Sequence, residues 1–272
     1  MFIWVMHGLC FALVVVYVNM FGFWAWLSRL IGAGPLAKGL PIIVTLVVLA
    51  LVSLGFVRRV NRGHSVRLAF LGAGIVAAFL ALAIPDPQVP IKRVHVAEYI
   101  LLAFLVRSTL SHRLQGSTLL FFSILVTALY GVHDEMLQGL HPQRYYGWRD
   151  MIVNAVAGLS GGLLAHGLLC CEGETRGGGE KPAAVSPGEV VGFLLLLAAV
   201  GWYIVFLYQH REGGLSWYAP LPVVVAGLPI TVLRPETILR STRHHGLQMV
   251  FWLSLLLVCY PWVALLAGIP FR

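Results

Sequence analysis

The feature that most constrains this chain is the recurrence of apolar blocks of about 17 to 25 residues, the length a helix needs to cross a hydrocarbon core near 30 Å thick. Nine such blocks run along the 272 residues: Phe2 to Leu27, Leu40 to Val57, Leu68 to Ile84, Val94 to Leu110, Leu119 to Leu137, Met151 to Cys171, Val190 to Tyr208, Tyr218 to Leu233 and Leu247 to Gly268. They predict an all-α polytopic transmembrane helix bundle of about nine spans. A water-soluble fold is excluded by the same pattern. Hydrophobic residues make up 59% of the chain and charged residues 11%, far too little charge to cover a soluble domain of this length.

The first block has no basic leader, contains Asn19 and lacks a small-x-small cleavage site, so it reads as a retained span and not a signal peptide. In the eighth, Pro220, Pro222 and Pro229 predict a kinked or re-entrant segment. Between the sixth and seventh, residues 172–188 are polar and rich in Gly and Pro, a flexible linker. The chain therefore divides into two N-terminal spans (1–66), a four-span core (67–171), the linker, and a three-span extension (189–272).

A net charge of +8 raises nucleic acid as a partner. The Lys and Arg residues, however, sit singly or in small groups between apolar blocks, where they act as topology determinants. Loops after the even-numbered spans hold eleven of them, led by Arg58 to Arg67, and the other side holds eight. That bias predicts a cytoplasmic N-terminus. Neither metal spacing nor a haem motif involves Cys10, Cys170, Cys171 or Cys259, and no cofactor is expected. Trp24, Trp26, Trp202, Trp217, Trp252 and Trp262 lie near block ends and suit interfacial anchoring.

Ionisable groups are costly inside spans and are kept where they face protein and pair. In the fourth block, His95, Glu98 and Tyr99 share one helix face; at the end of the fifth, Asp134 and Gln138 share another, with Glu135 one position around. The sixth opens on Arg149 and Asp150 and then places Asn154, Gly158 and Gly162 at four-residue steps, with Gly161 beside them. Because alternate spans run in opposite directions, these segments meet at one membrane surface, the outer one on the orientation above. The intervening stretch of residues 139–150 predicts a tight or re-entrant lid carrying Arg144 over a polar pocket.

H-V-A-E-Y at 95–99, Y-G-V-H-D-E-M-L-Q at 130–138, and the run from Arg144 through Asp150 and Asn154 to Gly162 resemble the VanZ-like family. That family's pattern is H-x-x-x-Y, D-E-x-x-Q, an Arg, then D-x-x-x-N followed by spaced glycines. The likeness covers residues 67–171. Ile91 stands where the family carries Asp, with Asp86 the nearby substitute, while Lys92 fits the pattern. The resemblance implies a bacterial cytoplasmic-membrane protein of envelope biology, one relative of which gives low-level teicoplanin resistance.

Three functions suit these residues. One is an enzyme on a lipid-linked envelope intermediate: Arg144 and Arg149 clamp phosphate, His95 acts as acid or base, and Asp134 or Glu135 orients it or holds a divalent cation. Another is a module that grips a polar lipid headgroup without altering it. The third is a scaffold whose Trp-rich spans pack against membrane protein partners. Membrane lipids are partners in all three, and the plain alternative is a structural ion-pair network that fixes helix register.

Overall fold

The computed structural model describes residues 2–141, 144, 147–170, 187–210, 216–233, 245–269 and 271. Within them the chain is all-helical: α1 (Phe2–Ile31), α2 (Ala33–Asn61), α3 (Leu68–Ala83), α4 (Val94–Leu110), α5 (Gly116–Leu140), α6 (Trp148–Gly167), α7 (Pro187–His210), α8 (Leu221–Leu233), α9 (His245–Leu256) and α10 (Cys259–Ala267). A 3-10 turn, Pro90–Arg93, feeds directly into α4. The linker expected over 172–188 lies outside the described residues up to 186, and Pro187 and Gly188 begin α7.

Among the described residues, five segments are long and apolar enough to cross a membrane: Ile3–Met20 in α1, α2, α5, Val190–His210 in α7, and His245–Ala267 across α9 and α10. These mark a membrane-embedded protein. The number falls short of the nine blocks for physical reasons. α3 and α8 are apolar but short, and the 13 residues of α8 extend only about 20 Å at 1.5 Å per residue. α4 and α6 carry the ionisable and polar side chains, and each packs most of its surface against other helices.

The ninth block is not one helix. Pro261 has no N–H to offer the carbonyl of Leu257, and the chain breaks between α9 and α10 at Leu257 and Val258. That carbonyl accepts the Tyr203 hydroxyl at 3.1 Å, which satisfies it within an apolar setting. The same carbonyl accepts the Tyr260 N–H at 3.4 Å, so Tyr203→Phe removes one of two bonds and is expected to cost about 1 kcal/mol in unfolding experiments in detergent, the usual net contribution of one hydrogen bond; unchanged stability would show the break to be held by other contacts.

The chain divides into two compact units, Met1–Gly131 with Arg149–Glu174, and Val132–Trp148 with Thr175–Arg272. In the first, α6 is the central helix. Its glycines set the spacing: a Cβ at Gly161 would lie 2.6 Å from the Ile100 carbonyl oxygen of α4, and one at Gly158 or Gly162 would meet Thr127 or Ile124 of α5 at 2.8 and 2.7 Å. α3 closes on α6 through Gly74, whose carbonyl accepts the Ser160 hydroxyl at 2.7 Å. α1 lays His7, Cys10, Val14 and Val18 inward, and its neighbours hold it through Tyr130, which donates to the His7 carbonyl at 3.2 Å.

The second unit pairs α7 with α8 and packs α9 against both. Along α7, Phe193, Leu196, Val200, Tyr203 and Leu207 are buried at alternating steps of three and four, while Leu194, Leu195, Trp202 and Val205 are exposed. Both faces are apolar, the pattern of a helix that packs on protein along one side and is suited to lipid along the other.

Candidate functional site

In the first unit the polar residues gather at the start of α4 and the start of α6. Lys92, at the end of the 3-10 turn, places its Nζ 2.5 Å from Asp150 Oδ2. In the first turn of α4, His95 Nδ1 lies 3.1 Å from Glu98 Oε2, with both side chains mostly buried. Tyr99 and Asn154 are fully buried. They meet across α5 at Gly131, where a Cβ would lie 2.7 Å from Asn154 Cβ and 3.4 Å from Tyr99 Cε1. Only glycine lets α4, α5 and α6 converge there.

The burial of Asp150 and Asn154 is more informative than the ion pairs. Asp150 is 4% exposed and Asn154 is 0% exposed, and both sit on one face of α6 four residues apart. Asp150 Oδ1, Asn154 Oδ1 and Asn154 Nδ2 have no hydrogen-bond partner among the described residues. Native proteins rarely tolerate such groups without a structural or functional use for them. Lys92 keeps a side chain 41% exposed, so its ammonium has N–H groups directed away from Asp150. Arg93 follows Lys92 in the 3-10 turn, and Arg149 precedes Asp150 at the first turn of α6.

The other sequence-predicted residues belong to the second unit. Asp134, Glu135 and Gln138 are buried, and the Gln138 amide donates to Asp134 Oδ1 at 3.1 Å and to Glu135 Oε1 at 2.9 Å. Glu135 Oε2 also accepts the Gly147 N–H at 3.0 Å, so one carboxylate fixes the return of the connecting loop. Arg144 is half-buried in that loop, and its backbone N–H donates to the His141 carbonyl at 3.1 Å. Arg149, expected to clamp phosphate with Arg144, belongs instead to the first unit and is exposed at the first turn of α6. Among the described residues no group of three or more His, Cys, Asp or Glu side chains is arranged to hold a metal ion, and Asp134 and Glu135 share an amide instead.

Three features escaped sequence reasoning. Lys92 stood out only through the family resemblance, although it is the partner of Asp150. Asp86, the substitute carboxylate, caps its own turn by accepting the Gln88 N–H at 2.9 Å. His133 is fully buried: Nε2 donates to the Leu253 carbonyl at 3.0 Å, which leaves Nδ1 to accept the Tyr260 hydroxyl at 2.7 Å. No local spacing could reveal a partner 127 positions away.

At the opposite end of α4, Arg107 is not a loop topology charge but a fully buried helical residue. Its Nε donates to the Cys170 carbonyl at 3.0 Å, and its Nη2 lies 3.4 Å from His166 Nδ1. Arg67 Nη1 approaches the other imidazole nitrogen at 2.5 Å. α6 ends there through Leu169 at φ 50°, with the Cys170 N–H returning to the Ala165 carbonyl at 2.9 Å. The arginines therefore tie down a helix terminus.

Comparison of the chain with family models, curated proteins and solved structures gives no match.

Proposed function

We propose that this chain is a VanZ-like protein of the bacterial cytoplasmic membrane that binds the phosphate-bearing headgroup of a lipid-linked envelope intermediate. About nine spans and a cytoplasmic N-terminus put the binding site at the outer face. The observation that carries the reading is the inner face of α6, where Asp150 Oδ1 and the Asn154 amide are withdrawn from water without a partner among the described residues. Leaving such groups unmet costs about 1–3 kcal/mol each. A bound headgroup completes them through its hydroxyls, while the outward N–H groups of Lys92 meet its phosphate. This reading rests on residues of the first unit alone.

The test is calorimetric titration of sn-glycerol 1-phosphate into the full chain in phosphatidylcholine nanodiscs. Lys92→Met is expected to weaken binding about tenfold to a hundredfold, since a charge-assisted hydrogen bond contributes about 1.5–3 kcal/mol and the Asp150 carboxylate, left without its countercharge, would repel the ligand. Equal affinity in both proteins, or no binding to the unaltered chain, refutes the reading.

A second reading has one observation in its favour. Glu98 Oε2 lies 3.1 Å from His95 Nδ1, near enough for a carboxylate to stabilise a protonated imidazole, which suits an enzyme on the same class of ligand. Its signature is turnover lost in His95→Gln with binding intact. Binding without turnover in the unaltered chain leaves the first reading standing alone.

A further inference from the structure

We infer that the cleft between α2, α3 and α4 holds the hydrocarbon tail of the same phosphate-bearing lipid, so that the ligand is recognised at both its ends. The inference rests on the headgroup reading and adds to it. The cleft, about 140 Å³, is walled by Val48 and Val52 of α2, Ala78 and Leu82 of α3, and Val96 and Ile100 of α4. Its two hydroxyl side chains are Thr45 and Ser53, and that of Thr45 is committed to the Pro41 carbonyl at 2.7 Å. No ionisable side chain lines it. From Thr45 to Ser53 the α2 wall runs about 12 Å at 1.5 Å per residue.

Shape and placement select the occupant. A helix is about 10 Å across with its side chains and does not enter a space this small, whereas an extended hydrocarbon chain does. The cleft opens beside the exposed Leu49, Ile75 and Phe79, on surfaces that face lipid in a membrane-embedded chain.

Charge completes the argument. The carbonyl of Leu82, a cleft residue, accepts Arg93 Nε at 3.2 Å, which holds a guanidinium at that end of the cleft. Arg93 adjoins Lys92, and Lys92 pairs with Asp150. The chain of contacts from cleft wall to polar site thus runs through two consecutive cations, which match a phosphate joined to an apolar tail. A zwitterionic lipid gains less there, because its own ammonium opposes them.

The experiment uses the full chain in nanodiscs of phosphatidylcholine with a minority of phosphatidylglycerol, read by native mass spectrometry and by sn-glycerol 1-phosphate titration. The unaltered protein is expected to retain phosphatidylglycerol at least tenfold over its share of the bilayer. Ala78→Trp, which fills the cleft, should lose that retention while keeping unaltered affinity for sn-glycerol 1-phosphate. Val52→Phe, from the opposite wall, provides the same test if the tryptophan variant does not fold. Retention unchanged in a folded variant overturns the cleft assignment and leaves the headgroup reading intact. Phosphatidylcholine retained equally well, or a co-purifying protein displaced by the substitutions, also overturns it. Failure of the unaltered chain to bind sn-glycerol 1-phosphate removes the headgroup reading itself.

Discussion

Asn154→Leu is expected to make the protein more stable and to abolish headgroup binding. The side chain is fully buried, and neither amide atom has a partner among the described residues. Replacing an unmet amide with an apolar group of similar size removes a desolvation penalty of about 1–3 kcal/mol, which unfolding in detergent will register as a gain. The ligand, by contrast, loses a donor and an acceptor at once and has its own polar atoms stranded. Together these reduce affinity by on the order of a hundredfold or more. A purely structural role predicts the opposite pairing, stability lost and binding unaffected. The opposed signs make this variant more discriminating than any charge removal, which disturbs both quantities in the same direction.

Gly161→Ala is expected to be the most damaging small substitution in the first unit. A Cβ there would lie 2.6 Å from the Ile100 carbonyl oxygen, 2.9 Å from Ile100 Cα and 2.7 Å from Ala103 Cβ. Two of these neighbours are backbone atoms and cannot rotate away, so α6 must separate from α4. Overpacking of this kind costs about 1–3 kcal/mol and occasionally more. The separation also spreads Lys92 from Asp150, so the variant should lose binding along with stability. Gly201→Ala in α7 is the control, because nothing lies within 4 Å of its Cβ position and alanine favours the helix by about 1 kcal/mol. Equal stability of the two variants would mean that α4 and α6 are not in backbone contact.

Much of the helical layout was legible from block length alone. Val94 to Leu110 is bounded identically in the sequence and the structure, because Lys92 and Arg93 precede it and Ser111, His112 and Arg113 follow it. α1 and α2 are longer than their blocks, with only Gly32 at φ 92° between them, since the polar residues at their ends do not stop a helix that can leave the hydrocarbon. The split of the last block was hidden because Pro261 shows its effect only where Tyr203, on another helix, satisfies the freed carbonyl.

The candidate site was legible in kind and incomplete in its partners. Four-residue spacing put Asp150 and Asn154 on one face, and the structure buries both. Spacing carries no information about a partner 58 residues away, so Lys92 could not be assigned to Asp150. Nor could it separate Asp134, Glu135 and Gln138, which satisfy one another and the Gly147 N–H, from residues with hydrogen-bonding capacity in reserve. Ionisable type in a span locates candidates; saturation, which only coordinates reveal, separates a closed network from a site.

The most direct measurement is the distance from a bound phosphate to Lys92. The chain has three lysines, Lys38, Lys92 and Lys181, so protein labelled with ¹⁵N at Nζ gives few signals, and Lys92→Met assigns the relevant one. With sn-glycerol 1-phosphate at saturation, phosphorus–nitrogen dipolar recoupling should attenuate the Lys92 resonance and leave Lys38 and Lys181 unchanged. A Lys92 signal untouched at saturating ligand would mean that the polar face of α4 and α6 is an ion-pair brace and not a binding site.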